Sequence, residues 1–160
     1  MIKFGIMAKK MKVLAAMSGG IDSSVAAALL KKQGCDVVGV FMKFWSESPS
    51  DSVRINTDKK TDLRRYENRC CSTEAENRAR TVAKILKIPF YVFNFKKEFK
   101  KRVVDYFLKG YKEGITPNPC VVCNKEIKFG LLLEKARALG ADFVATGHYA
   151  RLGREIRNPR

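Results

Sequence analysis

Short apolar runs and helically spaced apolar positions take turns along this chain. "KVLAAM" predicts a buried strand over 12–17 that runs straight into glycines. "DSSVAAALLKKQG" follows with small and apolar residues at helical spacing, lysines in its last turn and Gly34 as a stop, which predicts a helix over 22–34. A β-branched apolar run, "DVVGVFMKF", predicts a second strand over 36–44. The next segment, 45–70, is polar and aperiodic and reads as a long loop insertion. Helical spacing resumes at 72, where Ser72 or Thr73 can cap and acids fill the first turn, and Pro89 ends it.

"FYVFNF" predicts a third strand over 90–95. Beyond it Phe99, Val103, Phe107 and Tyr111 step by four through a lysine-rich helix over 96–114. "ITPNPCVVCN" (115–124) reads as a Pro-bearing loop, "KEIKFGLLLEKARALG" (125–140) as a helix stopped at Gly140, and "ADFVATGHYA" as a fourth strand with its turn. Strands alternating with helices predict βαβ units, hence an α/β, mostly parallel sheet. In such sheets ligands bind outside the carboxyl ends of the strands. "SGGIDSS", "MKFW" and "TGHY" all fall there. Residues 152–160 form a basic tail with no further element.

The size, 160 residues, is that of one domain with a real core. At 46% hydrophobic and 30% charged residues the composition is ordinary for a globular protein. No apolar run approaches the roughly 20 residues of a membrane span, and the apolar part of "MIKFGIMAKK" is too short for a secretory h-region, so a cytoplasmic protein without membrane association is expected. Charge changes the picture more. Lysine and arginine number 32 against 16 acids, a formal net charge of +16. An excess so one-sided points to a polyanionic partner, with nucleic acid ahead of a membrane surface because no amphipathic anchor stands out.

The five cysteines, Cys35, Cys70, Cys71, Cys120 and Cys123, are odd in number and include "CC" and "CVVC". That argues against a secreted disulfide framework and for metal binding or sulfur chemistry. Cys70, Cys71, Cys120 and Cys123 could hold zinc, or an iron–sulfur cluster, but adjacent cysteines make a poor half-site because their side chains diverge. No metal site is therefore assigned. Cys35 reads as a small core residue.

The most informative turn is Ser18-Gly19-Gly20 with Ser23 and Ser24, at the mouth of a helix. Backbone N–H groups and the helix dipole there face any bound anion, and glycine lets the backbone come close to oxygen atoms. Asp22 could hold Mg²⁺ or orient the loop. Neither G-x-G-x-x-G nor the lysine-bearing G-x-x-x-x-G-K-[ST] is present. The lone histidine, His148, is expected near the phosphates.

"SGGIDSS" resembles the SGGxDS loop of ATP pyrophosphatases, also called PP-loop or adenine nucleotide alpha-hydrolase proteins, which adenylate an oxygen and release pyrophosphate. Together with "VGVFMKFW", "CCS", "TPNPCVVCNKEIKFG" and "ALGADFVATGHYAR", in order and spacing, the chain resembles the N-terminal part of tRNA-specific 2-thiouridylases from Met11 to about Arg151. The resemblance implies a Rossmann-like doubly wound parallel sheet over 11–151, with 1–10 as an extension. It also implies ATP and Mg²⁺ as ligands, tRNA as substrate, and a sulfur-donor protein of a cysteine-desulfurase relay as partner.

Residue by residue, Ala16, Met17, Ser18, Gly19, Gly20, Ile21, Asp22 and Ser23 would form the ATP loop, Met42 would touch the nucleotide, and Gly147 would close its site. Asn118, Pro119 and Cys120 would meet the target base, and Cys123 would be the nucleophile. Many relatives carry Asp where Cys120 stands. The family continues beyond "GHYAR" with a second catalytic cysteine and a β-rich C-terminal part, so the sequence is expected to be truncated at its C-terminus. Two alternatives stay open: another PP-loop synthetase of amidotransferase type, or a non-catalytic cysteine–metal module that binds RNA.

Overall fold

The computed structural model describes residues 10–44 and 72–149. The expected loop 45–70, Cys70, Cys71, the tail 152–160 and all of the extension but Lys10 lie outside the described residues. A four-stranded sheet is built from β1 (Lys12–Ala16), β2 (Asp36–Lys43), β3 (Phe90–Asn94) and β4 (Phe143–Ala145). Its order is β3-β2-β1-β4 and every pairing is parallel. The chain winds outward from β1 to β3, then returns to the other side of β1. The loops leaving β1 and β4 therefore sit at the point where the winding reverses, the place where such sheets open a crevice.

Alternation along the strands sends successive side chains to opposite faces. Ala15, Met17, Val37 and Phe41 pack with Ala27 of α1 (Ile21–Lys32) and with Ala75, Ala79 and Ala83 of α2 (Thr73–Ile85). Leu14, Ala16, Val38 and Val40 pack with Leu132 and Ala136 of the helix near the C-terminal end of the described residues. Both faces are covered, which is why β1 and β2 read as continuous apolar runs rather than as alternating ones. Gly39 lies among the first set. A Cβ there would come within 2.8 Å of the Met17 sulfur.

On α2, the Ser72 hydroxyl accepts from the Ala75 amide at 3.1 Å and caps the helix, with Glu74 and Glu76 in its first turn. The alanines at 75, 79 and 83 form one stripe that lies flat on the sheet. At the far end of α1 the Lys31 ammonium donates to the carbonyls of Leu86 and Lys87, just past the end of α2.

The helix expected over 96–114 is present but not uniform. α3 (Lys96–Phe99) passes through a π-helical turn at Lys100–Val104 into α4 (Asp105–Lys112). Val103 of its four-step stripe is buried, while Tyr111 is 55% exposed. The region 115–124 corrects a sequence expectation. Its second half is helix, not loop: α5 (Pro119–Cys123) begins with Pro119 in its first turn and Asn118 as cap, whose Oδ1 accepts from the amides of Cys120 and Val121 at 3.1 and 3.3 Å. A π-helical run, Asn124–Leu131, then leads into α6 (Leu132–Ala138). Phe44, Phe95, Val103, Cys123, Ile127 and Leu131 form a third apolar cluster between these helices and the end of β2.

Candidate functional site

β1 ends by donating the Met17 amide to the Val40 carbonyl at 2.8 Å, and the chain then folds into a knot of hydroxyls. The Ser23 hydroxyl accepts from the Ser18 amide at 3.2 Å, lies 3.2 Å from the Ser18 hydroxyl, and also contacts the Gly20 carbonyl at 3.2 Å. Ser24 donates to the same carbonyl at 2.8 Å. These bonds close the loop on itself through its own side chains.

Two glycines fit that loop into its surroundings. Gly19 has φ +77° and lies against α2, where a Cβ would stand 2.2 Å from the Ala75 carbonyl oxygen. Gly147, after β4, lies on the first turn of α1, where a Cβ would stand 2.7 Å from the Ser23 amide nitrogen. Only a residue without a side chain allows either approach.

The loop forms one wall of a cleft of about 410 Å³. Ala16, Met17, Ser18, Gly20, Asp22 and Ser23 line it from β1 and α1, Met42 and Phe44 from the end of β2, and Thr146, Gly147 and His148 from beyond β4. Arg78 of α2 and Lys128 of the π-helical run add cations from the two faces of the sheet. Of the residues expected for the nucleotide, eight line this cleft. The other two, Gly19 and Ile21, face a shallower groove of about 500 Å³ between α1 and α2, and Ile21 is 81% exposed.

Asp22 is the only carboxylate lining the cleft among the described residues. The Tyr149 phenol donates to its Oδ1 at 2.7 Å, and that bond holds the phenol above its ordinary pKa. His148 is oriented by its neighbours: its Nδ1 lies 2.8 Å from the Thr146 hydroxyl, and its ring centroid 5.4 Å from that of Phe129. On α2, Glu76 binds Arg80 at 2.9 Å and reaches Lys43 of β2 at 3.4 Å. The hydrogen bond from Arg80 comes first among the causes that keep its carboxyl below the usual range.

Asn118, Pro119, Cys120 and Cys123 do not line the cleft. Asn118 is engaged as a helix cap, Cys120 is exposed, and Cys123 is buried in the apolar cluster that also holds Phe44. Cys35 packs against the alanine-lined core, as expected of a small core residue. Among the described residues no three His, Cys, Asp or Glu side chains gather in a way that could hold a metal ion, and no helix is long and apolar enough to cross a membrane. Arg78, Lys128, Phe44, Thr146 and Tyr149 are site residues to which sequence reasoning assigned no role. Phe44 and Lys128 fall inside motifs it had singled out. Arg78 carries no local signal, since only the docking of α2 brings it to the loop.

Comparison with known proteins agrees with this architecture. Residues 11–159 match the family model described as the tRNA methyl transferase HUP domain. A tRNA-specific 2-thiouridylase MnmA from Clostridium perfringens (strain ATCC 13124) is 54% identical over 143 residues, 89% of this chain and 36% of that protein. The protein of the same name from Clostridioides difficile (strain 630) is 52% identical over 144 residues, 90% of this chain and 36% of that one. The chain thus spans 36% of the length of these curated relatives. Among solved structures, a predicted subunit of tRNA methyltransferase from Methanocaldococcus jannaschii superposes with TM-score 0.51 at 19% identity, covering 94% of this chain and 57% of that one. A glutamine-dependent NAD+ synthetase from Acinetobacter baumannii superposes with TM-score 0.51 at 14% identity, covering 84% and 20%. These two share the fold.

Proposed function

The chain belongs to the tRNA methyl transferase HUP domain family, and on that premise we propose that it is the nucleotide-activating part of a tRNA 2-thiouridylase, binding ATP in the cleft and adenylating a uridine of tRNA. The two curated relatives described above, 54% and 52% identical over their aligned residues, are named tRNA-specific 2-thiouridylases, and the reading follows them. The observation that carries it is the loop Ser18–Ser24, closed by its own hydroxyls at the point where the sheet's winding reverses. Amides and hydroxyls at the N-terminus of α1 suit a polyphosphate, and Met17, Met42 and Phe44 give a base an apolar bed.

In the first half-reaction the uridine 2-oxygen attacks the α-phosphorus. The bond from that phosphorus to the bridging oxygen breaks, and pyrophosphate leaves with the electron pair. An amide-like carbonyl accepts sulfur poorly, whereas its AMP ester has a good leaving group. Loop atoms held by their own hydrogen bonds supply charge stabilisation with little reorganisation. Asp22 with the loop hydroxyls is a donor set that fits Mg²⁺, which binds through one or two carboxylates plus substrate phosphates and would neutralise phosphate charge there. Asp22 must share its carboxylate with, or release it from, Tyr149.

In the second half-reaction the outer sulfur of a cysteine persulfide, supplied by a cysteine-desulfurase relay, attacks the ring carbon and the carbon–oxygen bond to AMP breaks. A cysteine thiolate then attacks the inner sulfur, the sulfur–sulfur bond breaks, the thiolated base leaves and the two cysteines are left as a disulfide. We assign Cys123 as that nucleophilic thiolate, with Asn118, Pro119 and Cys120 meeting the base. Cys123 is buried, so this role requires α5 to shift when tRNA binds. The net charge of +16 supports a polyanionic substrate.

The test is tRNA-dependent pyrophosphate release from Mg-ATP without a sulfur donor. Release that needs both uridine-bearing tRNA and Asp22, and is lost in Asp22→Asn, is the expected result. ATP binding without release would assign activation to the remainder present in the longer relatives. Absence of ATP binding would sink the reading.

A further inference from the structure

The loop has no lysine of its own, so charge opposing a polyphosphate must come from elsewhere in the fold. Among the described residues two cations reach the cleft, and they arrive from opposite faces of the sheet. Arg78 comes from α2 on the alanine-lined face. Its Nε donates to the Gly19 carbonyl at 3.1 Å, which ties the guanidinium to the loop while leaving its terminal N–H groups for other partners. Its one ion pair among the described residues is with Glu74, four residues back at 4.0 Å, with both side chains mostly exposed.

Lys128 comes from the π-helical run on the other face. Its neighbours are paired: Lys125 and Arg102 lie 4.0 and 3.4 Å from the Glu126 carboxylate. Among the described residues Lys128 has no such ion pair. The cleft's carboxylate, Asp22, already accepts from Tyr149. Among the described residues two cations face one carboxylate across the cleft, an arrangement that favours an anion of more than one charge.

We infer that Arg78 and Lys128 form a two-sided clamp on the β- and γ-phosphates of ATP and on the pyrophosphate that leaves. This rests on the nucleotide reading above and adds to it the groups that take up the leaving group's charge. As the bond from the α-phosphorus to the bridging oxygen breaks, its electron pair stays on pyrophosphate. The guanidinium and the ammonium offer charged donors where that negative charge grows. The clamp replaces the single phosphate-loop lysine with one cation from each side of the sheet.

Calorimetric titration of the full chain with Mg-ATP, with inorganic pyrophosphate and with AMP tests this. Arg78→Gln and Lys128→Gln are each expected to weaken ATP and pyrophosphate about tenfold, while AMP affinity stays within about twofold of the parent. Equal loss for all three ligands would mean that the variants disturb the loop itself, and the clamp would be wrong. Unchanged affinities in variants of a parent that binds ATP would also overturn it, leaving the nucleotide reading intact. A parent that binds neither ATP nor pyrophosphate would remove both.

Discussion

The two faces of the sheet are packed with side chains of very different size. On one face the helices press alanines onto the strands: Ala27, Ala75, Ala79 and Ala83 are at most 1% exposed. On the other, Phe44, Phe95, Ile127, Leu131 and Leu132 fill the space, and the helical chain widens into π-helical turns at Lys100–Val104 and Asn124–Leu131. Alanine lets a helix backbone sit close, and α2 uses that closeness to bring its Ala75 carbonyl against Gly19. Large side chains hold their helices by interdigitation instead, a packing that tolerates exchange of shape at constant volume. One half of the cleft is therefore fixed by backbone contact. The other half, which carries Lys128, is fixed by side chains and widened turns of the kind often found at functional sites.

The strongest way to break this contrast is Gly19→Ala. The added methyl would stand 2.2 Å from a carbonyl oxygen in a backbone of φ +77°, and a loss of about 3 kcal/mol of stability is expected from strain and overpacking together. Urea unfolding measures it, and a variant as stable as the parent would show that α2 does not rest on the loop. A paired substitution sharpens the contrast. Ala79→Leu is expected to cost up to about 3 kcal/mol, whereas the volume-conserving Leu131→Met should cost less than about 1.5 kcal/mol. Similar losses on both faces would erase the distinction. The smallest effect concerns the start of α5. Asn118→Ala removes the acceptor for two amides and should cost about 1 kcal/mol, with Asn118→Asp restoring most of it, as read from thermal melting. Without that difference, Asn118 would be free to serve the substrate alone.

The loop side of the molecule was legible because its signals are local. A β-branched run, two glycines and a cluster of hydroxyls within a few residues determine strand, turn and helix start, and all four strands lie where periodicity placed them. The α5 region was misread although its grammar was present. In the sequence Asn118 and Pro119 read as loop formers, whereas together they are the cap and first position of a helix. The π-helical turns have no sequence signature, since they answer to packing against Phe44 and Phe95. Arg78 lies 59 residues from the Gly19 carbonyl it binds, a distance no local pattern spans. Cys123 shows the remaining gap: its type and spacing suggested chemistry, and only the fold showed that it is buried.

β4 is an edge strand of three residues, joined to β1 through Phe143, Val144 and Ala145 and unpaired on its outer side among the described residues. Short edges are where a sheet opens first. Two residues beyond it, Gly147 rests on the backbone of Ser23, so fraying of β4 and loosening of the cleft wall are one event. Occupancy of the cleft then lengthens the lifetime of the closed edge, and the slow exchange of the amide hydrogens of 143–145 becomes a clock for how long a ligand stays.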